Sequence, residues 1–442
     1  MTISHTYENG FKLVYQKSYS SVPVTVLYVF VRFGSIHETE DRGIAHFIEH
    51  MCFKGTVKMP KSREITAVYD KIGAFINAYT LREHTCYAVK CSDEYTANCI
   101  DVLADMVLHS QIKHKGYVLE KNVVKEEMIR ASDNPRHEVL KWSGELVYEN
   151  TPYENPVDDL KYHTHRSLPY ESLLRMYKQY YRPENMGLSV ISNLSFKTVQ
   201  KMVEGSEFLK GSNVEPMSYY SPISIPTSCD TKIVIKKRKG VNATYLNVAF
   251  RTCKYGEPDI YGLHLIESIM GGYMSSRMFT LLREKNGITY ESSCSLTCYK
   301  HFGDISLYAV CDHKKVLPNT ENPGLLALIL RLLNDLISDG ITEKELKEAK
   351  GNIKGRLVRD MENTTKIAEY NGIERIIYEN RESIPYDQIY KKCYAGITRR
   401  DINRIIRTYF TRNNMSVVMY GEHVPSLGLV KKYFTQLIRG SN

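Results

Sequence analysis

The 442-residue chain has no apolar run approaching the roughly 20 residues needed to cross a bilayer as a helix. A membrane-embedded protein is therefore not expected. Its ten cysteines include no Cys-x-x-Cys pair, and several, such as Cys86, Cys91, Cys294 and Cys298, fall in strand-like or helical stretches. Free thiols in a reducing compartment are expected rather than a disulfide framework. The opening Met1-Thr-Ile-Ser-His-Thr-Tyr-Glu-Asn-Gly10 enters a strand pattern at once, with neither a secretory apolar region nor an arginine-rich transit peptide. This favours the cytoplasm. The 59 Lys and Arg exceed the 50 Asp and Glu, giving +9, but they are dispersed and form no aromatic-basic motif. A basic soluble surface is expected, and no nucleic-acid partner.

What is present is ordinary for a globular protein, with 43% hydrophobic and 25% charged residues. Between residues 211 and 228, Pro216, Pro222 and Pro226 stand among serines and tyrosines. Prolines at that density deny regular ladder bonds, so the segment reads as a linker. It separates residues 1–210 from 229–442, each half large enough for its own core.

The most informative feature is His46-Phe47-Ile48-Glu49-His50. On a helix, histidines at i and i+4 project from one face about a turn apart, which suits two corners of a tetrahedral zinc site. Glu49 stands beside them as a spare carboxylate, placed to stay off the metal and act as general base toward water. Ile44, Phe47, Ile48 and Met51 form the apolar stripe, leaving His46, Glu49 and His50 on the other half of the wheel. Asp41 is the expected N-cap and Gly55 the expected stop.

A third ligand is required. In Glu120-Lys-Asn-Val-Val-Lys-Glu-Glu127-Met, a helical wheel puts Glu120, Val123, Val124, Glu127 and Ala131 on one face, with Lys121, Lys125 and Glu126 elsewhere. Carboxylates on an apolar face need a compensating cation, and a metal would supply it. An ordinary surface helix with alternating charges is the competing reading.

The order His-x-x-Glu-His marks the inverzincins. In its setting Gly43-Ile-Ala-His46-Phe-Ile-Glu49-His50-Met-Cys-Phe-Lys-Gly55-Thr56, it resembles the pitrilysin family (M16-type) of zinc metallopeptidases, most closely the mitochondrial processing peptidase branch. In that family the third ligand is a glutamate about 75 to 80 residues downstream. Glu127 lies 77 residues after His50. The resemblance implies Zn2+ held by His46, His50 and Glu127, with Glu120, seven residues earlier, as a supporting glutamate. It further implies that Gly73-Ala-Phe-Ile-Asn77-Ala78-Tyr-Thr80 is an edge strand pairing with substrate main chain through Asn77 and Ala78. The segment Ser275–Tyr290 is similar to the family's distal active-site segment, so Arg283 and Tyr290 would bind substrate and the developing oxyanion. Gly271-Gly272 is far shorter than the glycine-rich loop of the processing peptidase's non-catalytic subunit, which argues against that role.

The chain also repeats itself. Arg182-Pro-Glu-Asn185-Met186-Gly-Leu-Ser-Val is echoed by Arg412-Asn-Asn-Met415-Ser-Val-Val-Met, and Val24–Met51 by Asn242–Met270. In the second copy Gly262-Leu-His264-Leu-Ile-Glu267-Ser268 has a serine in place of the second histidine. Duplication with loss of one metal site accounts for this, and no second zinc is expected at His264. The fold implied by the resemblance is α+β: two homologous sandwich domains, each an antiparallel-rich sheet with helices, closing as a clamshell. The expected function is zinc-dependent endopeptidase action on peptides or extended segments, in a homodimer. The alternatives are a catalytically silent structural member of the same family and a zinc-stabilised binding module.

Overall fold

The structure is a computed structural model describing residues 2–158, 168–210, 231–380 and 382–437. The linker reading for 211–228 lies outside the described residues. In the first half the strands are β1 (Thr2–Thr6), β2 (Lys12–Lys17), β3 (Val24–Val31), β4 (Phe75–Thr80), β5 (Thr85–Ser92) and β6 (Met186–Ser192). The helices there are α1 (Ile44–Met51), α2 (Ser62–Lys71), α3 (Thr96–Leu108), α4 (His114–Ser132), α5 (Pro135–Val147), α6 (Tyr170–Tyr180) and α7 (Phe196–Glu204). The second half supplies β7 (Lys232–Lys237), β8 (Ala243–Thr252), β9 (Thr289–Cys298), β10 (Gly303–Asp312) and β11 (Met415–Gly421). Its helices are α8 (Asp259–Gly271), α9 (Leu325–Asp339), α10 (Glu343–Asp360), α11 (Thr364–Gly372), α12 (Arg399–Tyr409) and α13 (Leu427–Phe434).

The strands form two mixed sheets, ordered β1-β2-β6-β3-β5-β4 and β7-β11-β8-β10-β9. The pairs β2/β6 and β7/β11 are parallel and every other pair is antiparallel, as expected for an antiparallel-rich α+β fold. Apart from β1 the two orders superpose element for element, so the repeat seen in the sequence is a repeat of the fold. It extends to single hydrogen bonds. Asn185 Nδ2 donates to the carbonyls of Tyr180 (2.9 Å) and Arg32 (3.2 Å), and Asn414 Nδ2 to those of Tyr409 (2.7 Å) and Arg251 (2.9 Å).

The compact units are not the two halves of the chain. The first unit draws on described parts of 1–130, 155–222 and 358–387, and the second on 131–154, 223–357 and 388–442. Each half lends a helix: α11 packs on β3 and β6, and α5 packs on β8 and β11. The physical reason lies in β3, Val24-Thr-Val-Leu-Tyr-Val-Phe-Val31, which is apolar on both faces. Leu27, Val29 and Val31 point into the main core with α1 and α3, whereas Phe30, with Val14 and Cys86, points the other way against Ile376 and Ile377. The approach is close: a Cβ on Gly372 would meet the Phe30 ring at 2.0 Å. In the second unit the corresponding cover is Val139 and Trp142 of α5, the indole edge-on to Tyr420 at 5.0 Å. A proline-rich segment in a sequence cannot say which helix will cover an apolar sheet face.

Candidate metal and active site

Helix α1 begins differently from expectation. Its N-cap is Gly43, at φ 80°, and the free N–H groups of Gly43 and Ala45 donate to the Glu38 carboxylate at 2.7 and 2.9 Å. Glu38 therefore caps the helix in place of Asp41, favoured by the helix dipole. The helix ends at Met51, ahead of Gly55, which takes φ +137° in the following loop. The apolar stripe is as read: Ile44, Phe47, Ile48 and Met51 are buried.

On the other face His46 Nε2 and His50 Nε2 are 3.1 Å apart, and Glu127 Oε2 on α4 lies 3.4 Å from His50 Nε2. One ligand atom from each of the three residues lies within 4.8 Å of the others. A tetrahedral ion with bonds near 2.0–2.1 Å has ligand–ligand edges of about 3.3 Å, so two nitrogens and a carboxylate oxygen at this spacing suit zinc. Glu120 accepts a hydrogen bond from His50 Nδ1 at 2.8 Å, which in the neutral ring leaves the Nε2 lone pair facing His46 and Glu127. Lys54 Nζ, 2.5 Å from Glu120, holds that carboxylate ionised. Burial opposes ionisation of Glu120, but the His50 and Lys54 contacts outweigh it and its pKa is lowered.

Helix α4 corrects one detail of the wheel. Its buried stripe is Tyr117, Glu120, Val124 and Met128; Val123 is 50% exposed. A stripe stepping by three and four residues leaves Val123 off its axis, and Glu127 sits at the margin, half-exposed, while Glu126 faces solvent.

Glu49 is 8% exposed and accepts a hydrogen bond from Thr80 Oγ1 at 2.6 Å. Burial pushes its pKa up to about 6, further raised by Glu127 and partly offset by Thr80 and His50. A carboxylate tuned toward neutrality suits a general base. Neither Thr80 nor Lys54 was singled out by sequence reasoning. The available signals were Thr80 closing the strand pattern and Lys54 lying one turn beyond His50. Strand β4, which carries Asn77 and Ala78, is the outermost strand of its sheet and among the described residues pairs only with β5, and Asn77 is exposed. Thr80 joins the end of that edge directly to Glu49.

Arg283 and Tyr290 belong to the second unit. Arg283 lies on a π-helical turn, Phe279–Lys285, over the Phe279 ring at 5.0 Å, and its Nη1 donates to the Tyr290 carbonyl at 3.3 Å. Tyr290, at the start of the outer strand β9, is 78% exposed. The two residues are thus neighbours, and both are exposed. None of the nine cysteines among the described residues is in a disulfide, and no described helix is long and apolar enough to cross a membrane.

Comparison with known proteins agrees with this geometry. Residues 13–159 match the insulinase (peptidase family M16) family model, and residues 167–353 match the peptidase M16 inactive domain. A Bacillus subtilis (strain 168) protein named the uncharacterized zinc protease YmxG is 31% identical over 415 residues, 92% of this chain and 96% of its own. An uncharacterized zinc protease of Rickettsia bellii is 28% identical over 352 residues, 78% of this chain and 80% of its own. A protease from Helicobacter pylori has the same fold, with a TM-score of 0.86 at 20% identity over 95% of this chain and 99% of that one. By its sequence and by its fold, the chain belongs to peptidase family M16, the pitrilysin family of zinc peptidases.

Proposed function

We propose that the chain is a zinc-dependent endopeptidase acting on peptides or extended polypeptide segments. One observation carries this reading: a buried carboxylate, Glu49, stands beside a His46–His50–Glu127 donor set and is tied through Thr80 to an open sheet edge. His46, His50 and Glu127 would hold zinc, which when bound would supply Lewis acidity toward water and a carbonyl. Glu49 takes the proton of the attacking water and passes it to the leaving amine. Thr80 fixes the Glu49 rotamer, and Glu120 fixes the His50 ring. A substrate segment adds as a strand to β4 beside Asn77 and Ala78, which requires it to be extended. Arg283 and Tyr290 donate to substrate carbonyls and the developing oxyanion.

A structural zinc site is the weaker reading, because it needs no base beside it and usually takes four protein ligands. We further propose a homodimer in a reducing compartment such as the cytosol, each copy lending Arg283 and Tyr290 to the other. Cleavage of a mixed peptide library, abolished by a chelator and restored by zinc, tests the activity. Mixing Glu49→Gln chains with Tyr290→Phe chains tests the assembly: activity should return once subunits exchange. Chelator-insensitive cleavage refutes the first proposal, and a mixture that stays inactive despite exchange refutes the second.

A further inference from the structure

Arg283 stands on the π-helical turn Phe279–Lys285 of the second unit, and such turns are rare and recur at functional sites. A turn wound wider than an α-helix is the less favourable form, so contacts outside it must hold its ends. At its start the clamp is Arg277. Its Nε and Nη2 donate to the two Glu345 carboxylate oxygens at 2.6 and 2.9 Å, and Nη2 also reaches the Gly340 carbonyl at 2.7 Å. The guanidinium fork thus spans the corner between the end of α9 and the start of α10.

Glu345 is fixed in turn. Its Oε2 accepts from the N–H and the hydroxyl of Thr342 at 2.7 and 2.9 Å, and Thr342 Oγ1 accepts from the Glu345 N–H at 3.2 Å, a reciprocal cap on α10. Burial opposes ionisation of Glu345, but Arg277 and Thr342 outweigh it and its pKa is lowered. The two side chains are 19% and 23% exposed, so this bidentate pair is more than a loose surface contact. At the other end of the turn Asn286 Nδ2 donates to the Leu281 carbonyl at 2.8 Å, and the Ile288 N–H to the Leu282 carbonyl at 2.8 Å. Between the two clamps Met278 and Leu282 are buried, while Arg283 lies exposed over the Phe279 ring.

We propose that Arg277, Glu345 and Asn286 are positioning residues, which hold the π-helical turn in its register and thereby aim Arg283 at substrate. Their aim matters only if Arg283 binds substrate, the reading on which this proposal rests. Loss of either clamp lets the turn rewind toward an α-helix, and Arg283 then rotates away from its place over Phe279.

The test is a double-mutant cycle on kcat/KM for a peptide that the full chain cleaves, with zinc per chain measured for every variant. Arg277→Met and, separately, Asn286→Ala should lower kcat/KM about tenfold or more with zinc content unchanged, because a misplacement of about 1 Å costs up to about 10²-fold. In an Arg283→Ala background the same changes should cost less than about twofold, since the side chain they aim is gone. Arg277→Lys keeps the charge without the fork and should fall between the wild type and Arg277→Met. If Arg277→Met does not fold, the cycles with Arg277→Lys and Asn286→Ala decide. The proposal is overturned, with the role of Arg283 left standing, if the losses multiply, as a role in folding alone would make them. The same holds if the folded clamp variants keep wild-type kcat/KM while Arg283→Ala is impaired. Full activity of Arg283→Ala overturns the role of Arg283 itself, and the proposal with it.

Discussion

Helices α1 and α8 hold equivalent places, each following the long central strand of its sheet and packing on the outermost strand. Both carry a histidine, then a glutamate three residues later: His46 and Glu49, His264 and Glu267. Both glutamates reach the edge strand, Glu49 through Thr80 Oγ1 at 2.6 Å and Glu267 through the Leu296 N–H at 3.1 Å. They diverge at the next position. His50 is held by Glu120 at 2.8 Å, whereas Ser268 faces Asn352 at 3.5 Å. His264 turns its Nδ1 to Tyr394 Oη at 2.6 Å, and the positive charge of Arg356 bears on both His264 and Glu267. A cation near this group repels a metal ion as it repels a proton. The same backbone frame thus yields a donor set in one copy and a closed polar cluster in the other.

The largest expected difference between the copies is in turnover. Glu49→Gln should retain metal and lose activity by about 10²–10⁴-fold, because only the general base is removed. Glu267→Gln should leave kcat/KM within about twofold, because this carboxylate touches neither water nor substrate in the proposed mechanism. Comparable losses in both variants would mean that α8 takes part in catalysis.

Metal content comes next. His50→Ser gives α1 the side chain that α8 has, and Glu127→Gln removes the charged third donor; both should purify with far less than one zinc per chain. The reciprocal Ser268→His should not create a second site, because the Arg356 charge remains. Zinc at two per chain in Ser268→His, measured by atomic absorption, would show that one histidine is all the second copy lacks. Glu120→Gln is the gentler change: the His50 tautomer loses its anchor, and zinc affinity should fall by about 10–100-fold.

How much of this was legible depended on the range of the interactions. The α1 donors and Glu127 were readable because helical periodicity fixes which side chains share a face, and the repeat was readable because Asn185 and Asn414 recur with the same flanking pattern. The cap was not: Glu38 reaches Gly43 and Ala45 across a loop whose path no local rule dictates. Nor was Thr80, since its role depends on where β4 lies beside α1. The exchange of α5 and α11 was beyond reach for the same reason, because amphipathicity says that a helix is covered on one side but not by which sheet. Val123 shows the limit within a single helix, where the face read from the helical wheel included one residue that is exposed.

Acid should separate the copies most finely. Burial, reinforced by Arg356, pushes the His264 pKa down to about 4, against about 6.5 for an exposed histidine in the unfolded chain. Between those values the unfolded state binds a proton that the folded state excludes. The neutral ring therefore contributes full stability above about pH 6.5, and this is lost as pH falls toward 4. Because His264 is only partly buried, the effect is set at about 1–2 kcal/mol. His264→Phe paired with Tyr394→Phe removes the titrating group without leaving the tyrosine hydroxyl unpaired. The difference in melting temperature between this double variant and the wild type, measured with zinc absent, should shift in the variant's favour as pH drops from 6.5 to 4.5. A difference that stays constant across that range would mean that His264 takes up its proton in the folded protein as readily as in the unfolded chain, and that the second copy is held closed by something other than a neutral imidazole.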